Sequence, residues 1–109
     1  MNTLALCISG EFSERNQGSL MEIVEAMSQK HGFDYEWVNT PTLANIVFFQ
    51  DTTKGFPEGL SVPQLILSAG RTYQSPKENQ YVIYWAHLER TICLLASAIL
   101  HDRRMNLVD

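Results

Sequence analysis

Between Phe33 and Trp85 the chain carries four short runs of β-forming residues, and nothing in that stretch has the spacing of a helix. Phe33, Tyr35 and Trp37 alternate with Asp34 and Glu36, the period of a strand with one buried face. Ile46 to Phe49 is continuously apolar and rich in β-branched and aromatic residues, which suits a central strand buried on both sides. Leu65 to Leu67 repeats that pattern after Pro63, and Tyr81 to Trp85 repeats it again. A further run, Leu4 to Ile8, opens the chain; it is too short for a helix and is followed by Ser9-Gly10.

Helical periodicity is confined to the two flanks of this β-rich centre. Residues Gly10 to Gly18 are polar, with Gly at both ends, and read as a loop. Ser19 and Glu22 have capping-box spacing, and Leu20, Ile23, Val24 and Met27 follow on one helical face. Lys30-His31 suits a last turn, and Gly32 supplies the left-handed stop. The second helix is expected over 87–103, with Leu88, Ile92, Leu95, Ala96 and Ile99 facing inward. Its outward positions are Glu89, Arg90, Ser97 and His101.

The order is therefore strand, helix, four strands, helix. A parallel crossover usually needs about a dozen residues. The links Asp51 to Val62 and Ala69 to Gln80 reach that length, but Gly55, Pro57, Gly59, Gly70 and Pro76 break helices within them. Asn39 to Ala44 is too short for a crossover helix. Two readings of it stay open: an extended crossover, or a hairpin at Thr40-Pro41 that makes one strand antiparallel. The expected fold is α/β, a single domain over 1–109 with a five-stranded, mostly parallel, flavodoxin-like sheet. Its two main helices span 19–31 and 87–103, and the crossover helices of the other face are reduced or missing.

Composition narrows the function classes. A chain of 109 residues with 45% hydrophobic and 18% charged residues suits one globular core. A net charge of −4 argues against a direct nucleic-acid binder, which needs clustered Lys and Arg. No apolar run approaches the roughly 18 residues that span a bilayer, so no membrane contact is expected. Met1-Asn2-Thr3 lacks the basic start of a secretion signal, which makes the cytoplasm the expected compartment. Cys7 and Cys93 lie far apart inside apolar runs and read as core thiols.

The chemistry of catalysis is sparse. Ser9-Gly10 and Ser68-Ala69-Gly70 could present a hydroxyl at a strand end, but neither has the Gly-x-Ser-x-Gly elbow. His31, His87 and His101 fall at helix ends, away from any candidate nucleophile. There is no Gly-rich phosphate loop and no Cys–His spacing for zinc. A non-enzyme without metal or cofactor is expected.

Ala44-Asn45-Ile46-Val47-Phe48-Phe49, Val62 to Ala69, and Tyr81 to Trp85 with the helix after it resemble strands three to five and the last helix of the receiver domains of bacterial response regulators. The resemblance implies two acidic residues after the first strand to hold Mg²⁺, a phospho-acceptor Asp ending the third, a Ser or Thr ending the fourth, and a Lys-Pro pair ending the fifth. Here Ser9, Gly10 and Glu11 follow the first strand, Gln50 takes the acceptor position with Asp51 one residue late, and Trp85-Ala86 replaces Lys-Pro. Only Ser68 matches. A one-residue shift on a strand turns a side chain to the opposite face. Ser9, Glu11, Gln50, Asp51, Ser68 and Trp85 thus form a degenerate phospho-site pocket.

The expected role is a non-catalytic, phosphorylation-independent regulatory module acting through protein contacts, with a protein partner or a second copy forming a homodimer. An uncovered sheet face, or the outer side of the last helix with the last strand, would be the contact surface. Phe48 (or Phe49), Phe56, Tyr73, Tyr84 and Leu94 are its candidates. The competing expectation is that the loops Thr52 to Leu60 and Gly70 to Asn79 fold over that face. Two other functions stay open. One is phosphotransfer on Asp51 or on Cys7, the latter by resemblance to small sugar-phosphotransferase B subunits, whose first strand ends in a Cys. In those proteins a Gly/Ser loop and helix follow the Cys at once, whereas Ile8 follows here. The other is a small-ligand pocket at the strand ends, built from Ser9, Glu11, Gln50, Asp51 and Ser68.

Overall fold

The structure, a computed structural model, describes residues 3–53, 59–68 and 77–108, with side chains described as far as His101. The strands are β1 (Thr3–Ile8), β2 (Asp34–Trp37), β3 (Ile46–Gln50), β4 (Gln64–Ser68) and β5 (Gln80–Tyr84). The helices are α1 (Glu14–His31) and α2 (Leu88–Val108), with 3-10 turns at Pro41–Leu43 and Trp85–His87. All strand pairs are parallel, in the order β2-β1-β3-β4-β5. That order is the flavodoxin-like one, with its reversal point between β1 and β3.

No hairpin forms at Thr40-Pro41. The chain instead crosses β1 in a nearly extended path. The Val38 amide donates to the Leu6 carbonyl (2.8 Å), the turn Pro41–Leu43 lifts the backbone over, and the Asn45 amide donates to the Ala5 carbonyl (2.7 Å). Asn45 Oδ1 also accepts from the Ala5 amide at 2.8 Å, so one side chain continues the ladder where backbone cannot.

Helix α1 begins five residues before the Ser19 capping box expected from sequence. Ser13 is the N-cap: its hydroxyl accepts from the Asn16 amide at 3.2 Å, and the Gln17 amide bonds its carbonyl at 2.8 Å. Gly18 lies inside the helix, where a Cβ would meet only open space. It weakens the helix by about 1 kcal/mol relative to Ala but does not break it. Ser13→Ala is therefore expected to destabilise the domain by about 1 kcal/mol, and Ser19→Ala by less than about 0.5 kcal/mol, in urea titration. The reverse ranking would restore the later start. At the other end Gly32, at φ 69°, donates to Ser28 and closes the helix as its sequence position suggests. Helix α2 runs past the expected 103 to Val108, so His101 lies within it instead of closing it.

The alternation along each strand divides the core in two. Leu4, Leu6, Ile46, Phe48, Leu65 and Leu67 face Leu20, Val24 and Met27 of α1 and Leu88, Ile92, Ala96 and Leu100 of α2. Both helices thus cover one face of the sheet. The other face gathers Cys7, Val47, Phe49 and Ile66 with Ala44, and half-buried Val38, Val62 and Val82 pack against them. Among the described residues none of α1 or α2 joins this second cluster, yet Val47 and Phe49 are fully buried. The extended crossover and the segment before β4 supply part of its cover.

Two buried glutamines tie the starts of β4 and β5 together. Gln80 Nε2 donates to Gln64 Oε1 (3.1 Å), and Gln64 Nε2 donates to the carbonyls of Leu60 (3.3 Å) and Val62 (3.2 Å). Gln80 Oε1 accepts from the Lys77 amide at 3.0 Å. Buried amides satisfied in this way specify the strand register without leaving a stranded polar group.

Candidate functional site

The carboxyl ends of the strands are where an open α/β sheet binds ligands, above all at the point where strand order reverses. Here that point lies between β1 and β3, and four of the residues expected at the pocket, Ser9, Glu11, Gln50 and Asp51, follow or end those two strands. Ser68 ends β4, and Trp85 follows β5. The topology therefore brings the expected set to one end of the sheet. Gln50, Asp51 and Ser9 make capping and ladder bonds there.

Gln50, at the acceptor position, turns its side chain toward α1. Its Oε1 accepts from the Ser13 amide at 2.8 Å, and its carbonyl accepts from the Thr53 amide at 3.0 Å. It fastens the helix start to β3. The Asp51 amide donates to the Leu67 carbonyl (3.0 Å) and extends the β3–β4 ladder past its last residue. The Ser9 amide does the same toward Phe48 at 3.0 Å. Ser68 is fully buried, while Glu11 is exposed.

Gly10 and Thr53 close the space between them, a pairing with no sequence signal beyond a glycine after a strand. Gly10 is left-handed at φ 72°, and a Cβ there would lie 2.5 Å from Thr53 Cγ2, 2.8 Å from Thr53 Oγ1 and 3.1 Å from Phe49 Cδ1. Thr53 is 5% exposed, and its hydroxyl has no hydrogen-bond partner among the described residues. Backbone and a buried side chain meet where a reversal-point ligand would insert.

Trp85 packs with Phe12 in an edge-on contact, ring centroids 6.5 Å apart, at the margin of the helix-covered core. It is an apolar plug where the resemblance implies a cation. Tyr84 is exposed, its ring 6.3 Å from that of His87, and Leu94 is exposed on α2. Phe48 does not belong with them. Its position on β3 turns it under the helices, where it is fully buried beside Trp37, so it cannot serve as an interface residue. Phe49, the alternative at that point, is equally buried on the second face. Phe56 and Tyr73 lie outside the described residues.

Cys7 lies on the second sheet face at 1% exposure, and burial pushes its thiol above the ordinary range. A phospho-cysteine requires an accessible thiolate. Cys93 of α2 is half-buried, with its sulfur 4.0 Å from Nδ1 of His31 at the end of α1. This contact joins the helices beside a cleft of about 530 Å³ lined mainly by Phe33, Ala96, Ser97, Leu100 and His101. Among the described residues no group of three His, Cys, Asp or Glu side chains converges to hold a metal ion. No described helix is long and apolar enough to cross a membrane.

Comparison of the sequence with protein-family models, with curated proteins and with solved structures yields no match.

Proposed function

We propose that this chain is a non-catalytic, receiver-like regulatory module of the cytoplasm that works through protein contacts and not through phosphoryl transfer. The observation that carries the reading is the engagement of Gln50: the side chain at the acceptor position holds the N-terminus of α1 through Ser13 at 2.8 Å. A carboxylate needed for phosphoryl chemistry is replaced there by an amide, which is a poor nucleophile and a weak ligand for Mg²⁺. The close approach of Gly10 to Thr53 and the Phe12–Trp85 contact support the same reading. What a receiver opens to a phosphoryl group and a metal ion is filled by packing.

The test is direct. Incubation with acetyl phosphate and Mg²⁺, and separately with a sugar-phosphotransferase donor, is expected to leave the intact mass unchanged. A phosphoryl adduct on Asp51 or Cys7 would overturn the reading in favour of phosphotransfer.

A further inference from the structure

The two edges of the sheet are built differently. Strand β2 forms one edge with Asp34-Tyr35-Glu36-Trp37, and its two carboxylates are the kind of charge that keeps an edge from pairing with another chain. Strand β5 forms the other with Gln80-Tyr81-Val82-Ile83-Tyr84. It carries no charge, no proline and no glycine, and β-branched and aromatic residues fill four of its five positions. Among the described residues nothing pairs with its outer side.

The hydrogen bonds fix which groups that outer side presents. The Gln64 amide bonds the Asn79 carbonyl, and Gln64 pairs with Gln80 in register. In a parallel ladder this turns the backbone of Asn79, Tyr81 and Ile83 toward β4. The backbone N–H and C=O of Val82 and Tyr84 consequently point away from the sheet.

We propose that the β5 edge pairs with the β5 edge of a second copy, antiparallel about a two-fold axis at Val82, giving one continuous ten-stranded sheet. The proposal rests on the reading of this chain as a contact module and names its partner. A two-fold pairing must be its own complement, and this strand is. Val82 faces Val82 of the second copy and exchanges both backbone hydrogen bonds with it. Tyr81 falls opposite Ile83 on the helix-covered face, an aromatic against a β-branched side chain, which is among the favoured cross-strand pairs. Gln80 falls opposite Tyr84 on the other face, and no charged residue meets another anywhere in the register.

Apolar surface continues beyond the strand. A shallow groove of about 210 Å³ runs between β5 and α2, lined by Leu65, Tyr81, Ile83, Thr91, Leu94 and Leu95. Tyr81 is 51% exposed and Leu94 63% exposed at its rim. Pairing sets the Tyr81 of each copy beside this groove in the other. So short a strand with one helix face makes a small interface, and dissociation in the roughly micromolar range is expected.

Sedimentation velocity over a dilution series of the full chain tests this. The wild type is expected to pass from monomer to dimer with rising concentration. Two variants should remain monomers. Tyr81→Lys places a charge at an exposed edge position, where the isolated fold tolerates it, and its circular dichroism should match the wild type. Val82→Pro removes an N–H that faces outward and so takes no hydrogen bond from the ladder with β4. A wild type that stays monomeric throughout the series overturns the proposal, even where some other protein docks on the edge. Dimers that survive in Tyr81→Lys overturn it too. A monomer that also takes no phosphoryl group from acetyl phosphate sinks only the dimer. A phosphoryl adduct sinks the contact-module reading whatever the association state.

Discussion

Gly10→Ala is expected to lower the unfolding free energy by about 2–4 kcal/mol, read as a shift of the urea midpoint at unchanged slope. Two effects add. A residue with a Cβ at φ 72° bears left-handed strain of about 1 kcal/mol. The new methyl would also lie 2.5 Å from Thr53 Cγ2 and 3.1 Å from Phe49, one a short buried side chain and the other a fully buried ring, so neither gives way cheaply. Overpacking of this kind costs about 1–3 kcal/mol. Gly32→Ala separates the two effects. Gly32 has φ 69° but nothing within 4 Å, so only the strain of about 1 kcal/mol should remain. Adding Thr53→Ala to Gly10→Ala should recover the steric part, a non-additivity of about 1–2 kcal/mol between neighbours. If Gly10→Ala costs no more than Gly32→Ala, the crevice is open and the case for a filled pocket fails.

Phe48→Ala should cost about 3–5 kcal/mol, enough to leave a domain of this size barely folded at room temperature. The ring is fully buried between the sheet and both helices, 6.2 Å from the ring of Trp37. Removing it leaves a void that the surrounding strands and helices cannot collapse to fill. Tyr84→Ala is the matched control. At 45% exposure, with its ring 6.3 Å from that of His87, it should change stability by less than about 0.5 kcal/mol. Comparable losses in both variants would mean that Phe48 is not a core residue.

The contrast between these two aromatics shows how far the sequence could be read. Apolar runs mark four of the five strands because parallel strands stay hydrophobic where both faces are covered, whereas β2, an edge strand, is marked by its alternation. That same uniformity hid which face each residue takes: in Ile46-Val47-Phe48-Phe49 nothing marks Phe48 as helix-facing, and only the register with β1 and β4 decides it. The sequence places the start of α1 too late because Gly18 reads as a breaker, whereas the Ser13 cap and its bond to Gln50 hold a first turn that runs through it. The strand-end residues could be named from the strand boundaries. Their roles could not, because the Gln50–Ser13 bond spans 37 positions and the Gly10–Thr53 approach depends on two loops meeting across the sheet end. Neither leaves a local pattern.

The placement of α2 has a consequence for how the domain is made in the cell. Leu88, Ile92, Ala96 and Leu100 close the same hydrophobic layer that β1 and α1 open at the other end of the chain. A nascent polypeptide therefore has only α1 to cover the layer of Leu4, Leu6, Phe48 and Leu67 until α2 has been translated. Closure of the core waits for that helix, and in the interval the half-covered strands present the kind of apolar surface that promotes aggregation.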